Sequence, residues 1–249
     1  DNIKPEVVMK LLLSFLLIAN IALAQVVPDY AKEARWASFI EDGLMDGDVV
    51  LLKANDHEFL AIYTESESDT KQTAVIVHGL GVHPDWPQVI QPLRVALTER
   101  GFNTLSIQMP VLENGVGFER YLPLFTDADN RINSAVNYLA AQDLEANVLI
   151  AHSLGSEMSA HYLANNKNPF KRFVGIGMPG PSAPYLSNIN IPVLDLYGDE
   201  DIPSVMQGVQ EKQRASKHNT NYRQIMANAD HFFNDKDDLL IDEVSAWLK

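Results

Sequence analysis

A chain of 249 residues, 46% hydrophobic and free of cysteine, is long enough to bury a substantial core unaided. Its formal net charge of −14 is spread along the whole length. That balance argues against nucleic acid or an anionic membrane surface as partner and reads as a solvated acidic surface. Without cysteine there can be no disulfide, Cys-based zinc site, thiol nucleophile or lipid-modified N-terminal Cys.

Residues 1–24 read as a leader. Lys10 opens a basic n-region, and Leu11–Ala22 is an apolar run short for a membrane span. Ala22-Leu23-Ala24 then supplies the small-x-small pattern that signal peptidase accepts. Met9 is the natural start, with Asp1–Val8 upstream of it. Cleavage after Ala24 would leave residues 25–249 as one domain, exported to the periplasm or secreted, with no stable membrane span. An uncleaved interfacial anchor is the competing reading.

Tyr30–Leu44 has apolar residues at mixed helical spacing and predicts a surface helix. Val49–Lys53 and Phe59–Glu65 are β-prone runs around the polar turn Ala54-Asn55-Asp56-His57, which predicts a hairpin. From there strand and helix patterns alternate. Thr73–Val77 reads as a buried strand, Trp86–Arg100 as a helix closed by Gly101, and Thr104–Met109 as a strand ended by Pro110. Asp127 or Asp129 is expected to cap a helix running through Ile132 and Val136 to Ala141. Asn147–Ala151 is the next strand, followed by a helix through Met158 and Leu163. Phe173–Gly177 and Val193–Tyr197 are strands, Val205–Ala215 a helix, Tyr222–Met226 the last strand and Asp235–Leu248 a terminal helix. About eight strands with crossover helices predict an α/β fold, a mostly parallel sheet covered on both faces.

In such sheets ligand sites form at the carboxyl ends of the strands, and four features fall there. Ala151-His152-Ser153-Leu154-Gly155 lies between a strand and a helix. A serine on that turn has a strained backbone, needs small neighbours two residues away, and sits beside the N–H groups of a helix start. His78-Gly79-Leu80-Gly81 follows a strand and could bring the Leu80 N–H beside that of Leu154 as an oxyanion hole. In the turn Gly198-Asp199-Glu200-Asp201, a carboxylate could orient a histidine; Asp201 is the choice and Asp199 the runner-up. Ala229-Asp230-His231-Phe232-Phe233 follows the last strand. Of the seven histidines, only His231 lies at a late strand end free to reach both Ser153 and an acid. His152 adjoins the serine, but adjacent side chains on a strand point apart. Asp230 is expected to face solvent. Each feature also has a plain structural reading, as a glycine turn, an acidic turn or a packed histidine; their joint placement is what points to chemistry.

From about Val49 to the C-terminus the chain resembles the α/β-hydrolase superfamily, in which the order Ser, Asp, His is expected. His78 through Pro110, with Pro84-Asp85-Trp86-Pro87, resembles an uncharacterised exported bacterial group of that fold. The resemblance implies a serine hydrolase, carboxylesterase-like, acting on a small-molecule acyl substrate through an acyl-enzyme, with Ser153, His231 and Asp201 as catalytic residues and no cofactor or metal. Ala151 departs from the commoner glycine. Only Met178–Ile191 joins the sixth and seventh strands, so an open site without a cap domain is expected. Val116, Phe118, Tyr121 and Leu122 of the loop Val111–Phe125, with Phe232 and Phe233, are candidates to line it. Peptidase, thioesterase or lactonase action on the same residues is an alternative. So is a catalytically silent binding or envelope-assembly protein on the same fold.

Overall fold

The computed structural model describes residues 26–249, so the leader expected over 1–24 lies outside them. The strands are β1 (Asp48–Ala54), β2 (His57–Thr64), β3 (Gln72–Val77), β4 (Asn103–Ile107), β5 (Glu145–His152), β6 (Arg172–Ile176), β7 (Val193–Glu200) and β8 (Tyr222–Asp230). They form one eight-stranded sheet in the order β1-β2-β4-β3-β5-β6-β7-β8. β2 runs antiparallel to β1 and β4, while every pairing from β4 through β3 to β8 is parallel.

The central strands are apolar on both faces because both faces are covered. Val75, Val77, Leu149 and Ala151 point into one core layer, against α3 (Phe125–Ala141) and α4 (Leu154–Asn165). Ala74, Ile76, Val148 and Ile150 point into the other, against α2 (Ile90–Ala96) and α8 (Asp237–Leu248). Helix α1 (Tyr30–Gly43) is capped by Asp29, whose carboxylate accepts the Lys32 N–H, and sets Ile40 against Leu60 and Ile62 of β2. Buried Glu33 of α1 pairs with the two terminal guanidinium nitrogens of Arg131 on α3, at 3.0 and 3.1 Å. The mostly parallel two-faced sheet is the architecture expected of the sequence.

Local boundaries differ in several places, each for a physical reason. β7 and β8 run on past the expected ends at Tyr197 and Met226, because the two strands keep pairing through Gly198 with Ala227 and Glu200 with Asp230. The helix expected over Trp86–Arg100 begins at Ile90, after a segment held open by Pro84 and Pro87, and closes in a 3-10 turn at Thr98–Arg100. The run Val205–Ala215 is two short helices, α6 (Pro203–Met206) and α7 (Val209–Ala215), separated at Gly208, a weak helix former. Asp127 and Asp129 cap nothing. A 3-10 turn over Phe118–Leu124 runs straight into α3, so both aspartates lie inside the helix, paired with Arg131 and His161. Between β6 and β7 the chain makes only a 3-10 turn at Gly180–Ser182 and the one-turn helix α5 (Ala183–Leu186), so this connection inserts no cap domain. Among the described residues no helix is long and apolar enough to cross a membrane.

Candidate active site

Ser153 follows β5 and precedes α4 with φ 53° and ψ −125°, a left-handed backbone that a residue with a Cβ adopts at a cost of about 1–3 kcal/mol. The turn is held by Ser153 N–H donating to the Ile176 carbonyl at 2.8 Å and by Ser156 Oγ donating to the Ala151 carbonyl at 2.8 Å. Gly155 is needed here, since a Cβ in its place would collide with the His78 carbonyl oxygen. Ala151 is fully buried and accommodated without glycine.

Ser153 Oγ lies 2.9 Å from His231 Nε2, and His231 Nδ1 lies 2.6 Å from Asp201 Oδ1. A carboxylate only accepts, so Nδ1 carries the proton and Nε2 is left to accept from the serine hydroxyl. Asp201 is oriented by two further donors, Ile202 N–H on Oδ1 at 2.8 Å and Gly198 N–H on Oδ2 at 3.1 Å. Asp199 does something else: its Oδ1 accepts the Ala229 N–H at 3.0 Å and steadies the end of β8. The structure therefore brings Ser153, His231 and Asp201 together and leaves Asp199 out.

The segment His78–Gly81 lies directly over the serine turn. A Cβ on Gly79 would sit 3.1 Å from both Ser153 Cβ and His152 Nδ1, a contact that glycine avoids and that any other residue would relieve only if the neighbours gave by a few tenths of an ångström. His78 fastens the loop from beneath. Its Nδ1 donates to the Gly79 carbonyl at 2.8 Å, and its Nε2 accepts the Met109 N–H at 2.9 Å. Burial pushes the His78 imidazole down to about 3, so it serves as a neutral brace. The N–H groups of Leu80 and Leu154, the expected oxyanion donors, make no hydrogen bond to any other described protein group.

Around Ser153 opens a cleft of about 470 Å³, lined on its apolar side by Leu80, Val82, Trp86, Phe118, Ile202 and Phe232. Of the residues expected from the loop Val111–Phe125, only Phe118 reaches it. Tyr121 is buried in the core, where its hydroxyl accepts the Leu112 N–H at 3.0 Å, and Phe233 is likewise core. Leu122 is exposed instead, and Val116 packs against the core. Three site features escaped sequence reasoning. Trp86 becomes a cleft wall because Asp85 beside it pairs at 2.6 Å with buried Arg94. Asp230 does not merely face solvent: its carboxylate accepts the Phe232 and Asn234 N–H groups, both at 3.0 Å, and shapes the turn carrying His231. His152 bonds across the site to the His231 main chain. The expectation that adjacent side chains point apart does not hold here: the chain leaves its extended course at Ser153, and His152 and Ser153 line the same cleft. Among the described residues no cluster of three or more His, Asp or Glu side chains could hold a metal ion.

A mostly parallel eight-stranded sheet with a strained serine between β5 and α4 defines the α/β-hydrolase fold, and solved structures agree. An esterase, Pf2001, of Pyrococcus furiosus aligns over 84% of this chain and 94% of its own, at 15% identity and a TM-score of 0.67. Est1E of Butyrivibrio proteoclasticus, solved with ferulic acid, aligns over 80% and 97%, at 15% identity and 0.66. A dienelactone hydrolase of Anabaena variabilis aligns over 82% and 96%, at 17% identity and 0.65. The chain itself belongs to the family described as "Protein of unknown function (DUF3530)", matched over residues 10–120 and 126–249. No curated protein matches it in sequence.

Proposed function

We propose that this protein is a serine hydrolase that cleaves a carboxylic ester or related acyl bond of a small molecule. The observation that carries the reading is the unbroken line from Asp201 through His231 to Ser153, ending in an open apolar cleft. His231 Nε2 takes the Ser153 proton as Oγ bonds to the carbonyl carbon, and the C=O electron pair moves onto oxygen. The N–H groups of Leu80 and Leu154 stabilise that oxyanion. The oxyanion then collapses, the bond to the leaving oxygen breaks, and His231 gives that oxygen its proton. Water, deprotonated by the same nitrogen, attacks the acyl-serine and releases the acid with Ser153 restored. Asp201 keeps the productive tautomer and offsets the charge of the transient imidazolium. Similarity of fold to enzymes named esterases and a dienelactone hydrolase supports the class of bond.

Two measurements test this. A fluorophosphonate probe is expected to label the folded protein at Ser153, and a folded protein that stays unlabelled ends the hydrolase reading. Ser153→Ala is expected to lower kcat for a short-chain aryl ester by about 10⁶ while leaving unfolding little changed. A panel of esters, thioesters and peptides then ranks the bond cleaved. From the leader pattern alone, export is proposed as well, with Gln25 as the first residue of the mature protein purified from its source. A mature chain still carrying Leu11–Ala22 would refute it.

A further inference from the structure

His152 is the last residue of β5, immediately before Ser153, and it is buried. Its Nε2 lies 3.0 Å from the main-chain oxygen of His231. A carbonyl only accepts, so Nε2 carries the proton and Nδ1, which faces the Gly79 backbone, is bare. The two imidazole rings lie 4.9 Å apart, tilted by 39°. Burial first, and the neighbouring His231 second, push the His152 imidazole down to about 4, so it stays neutral where His231 must gain and lose a proton.

The other ties of the His231 turn are made elsewhere. Asp230 bonds within the turn, Asn234 reaches Gln88 at 2.5 Å, and Asp199 holds Ala229. Among the described residues, only the Nε2 bond of His152 joins the main chain of His231 to the strand end that carries the nucleophile.

We propose that His152 is a positioning residue, whose N–H to the His231 carbonyl sets the distance and tilt of the His231 ring relative to Ser153 Oγ. The role follows from topology. Ser153 leaves β5 and His231 leaves β8, with β6 and β7 between them in the sheet. Without that bond, the spacing of base and nucleophile would rest on the two strand ends and on the side-chain bonds of His231 to Asp201 and Ser153 alone. A shift of 1 Å at such a pair can cost about 10²-fold in rate. A neutral donor suits the task, because a cation at this spacing would oppose formation of the imidazolium on His231.

This inference rests on the serine hydrolase reading, and the experiment separates the two. The test compares His152→Gln, which keeps an N–H donor on a chain of similar reach, with His152→Met, which has similar bulk and no donor. In the hydrolase assay His152→Met is expected to lose about 10²-fold in kcat with KM nearly unchanged, and His152→Gln to recover to within about threefold of wild type. The His231 Nδ1–H proton resonance should persist in His152→Gln and broaden by solvent exchange in His152→Met. Equal kcat in both variants, with fluorophosphonate labelling of the wild type intact, overturns the positioning role and leaves the hydrolase reading standing. A wild type that does not label overturns both. Should His152→Met fail to fold, nitrogen NMR of the unaltered protein decides. His152 must be the neutral Nε2–H tautomer at pH 6, and a charged ring or an Nδ1–H tautomer refutes the proposal.

Discussion

Asp201 and Glu157 are two buried carboxyls close to the same serine, and they are kept in opposite ways. Asp201 lies one hydrogen bond beyond His231 and accepts from His231 Nδ1, Ile202 N–H and Gly198 N–H. Glu157 lies one helical turn beyond Ser153 on α4 and is 1% exposed, yet its Oε2 has no hydrogen-bond partner. Burial alone pushes the Glu157 carboxyl up to about 7. A buried carboxylate is stable when donors replace the water it loses; without them the group keeps its proton. A third group, Asp195, marks the fully paired extreme. It meets Lys212 Nζ at 2.8 Å, the Tyr222 hydroxyl at 2.6 Å and Gln224 Nε2 at 3.0 Å.

The widest gap between these environments should be read through Asp201. In Asp201→Asn the amide can no longer hold His231 in the tautomer that leaves Nε2 free, and kcat for an aryl ester is expected to fall about 10⁴-fold. Asp199→Asn keeps an acceptor for the Ala229 N–H and should cost less than about tenfold. Steady-state kinetics of the two variants side by side checks this, and a greater loss in Asp199→Asn would move the acid to that position.

Next in size is a stability effect at Asp195. Removing Lys212 leaves an uncompensated charge in the core, so Lys212→Met is expected to cost about 3–5 kcal/mol in urea unfolding. The same ammonium also donates to the Met178 carbonyl at 2.6 Å, just before Pro179 in the cleft wall. Adding Asp195→Asn to Lys212→Met should recover part of the loss, because the orphaned charge is then gone. A cost below about 1 kcal/mol for the single variant would mean that water reaches Asp195 and that the pair is not a buried one.

What the sequence revealed of this arrangement divides along the same physical line. The sheet was legible because strands buried on both faces must be continuously apolar, as Ala74–Val77 and Val148–Ala151 are. The positions of Ser153, His231 and Asp201 were legible because each directly follows a strand, and the carboxyl ends of parallel strands share one edge of the sheet. The preference for Asp201 over Asp199 was a weaker inference; in the structure the turn after Gly198 puts Asp201 Oδ1 on His231 Nδ1 and Asp199 Oδ1 on the Ala229 N–H. His152, Asp230 and Trp86 were not legible in their roles. Their partners, the His231 carbonyl, the turn N–H groups and the Arg94-bound Asp85, are set by loop conformation rather than by periodicity. Glu157 was hidden for a related reason: helical spacing puts it on the face of Ser153 and His161, but nothing in that spacing says whether a donor waits there.

The smallest effect, and the most direct test of the contrast, is the pH dependence that Glu157 should impose on stability. Among its ionisable neighbours, Tyr185 feels the Glu157 charge, and its own proton affinity is raised chiefly by burial. No cation or donor meets its Oε2. In the folded protein Glu157 holds its proton up to about pH 7, whereas the unfolded side chain releases it near 4.5. Between those values the folded state binds more protons than the unfolded one, so stability falls as pH rises, by at most about 1.4 kcal/mol per pH unit from this group. Above pH 7 both states are ionised at this position and the loss levels off. Glu157→Gln removes the proton from the equilibrium while conserving shape. The unfolding free energy of the variant minus that of wild type should therefore grow from pH 5 to pH 7 and then hold steady to pH 8.5. Urea melts at half-unit intervals measure the difference curve. A flat curve would mean that Glu157 titrates as a solvated carboxyl, and the contrast with Asp201 would dissolve.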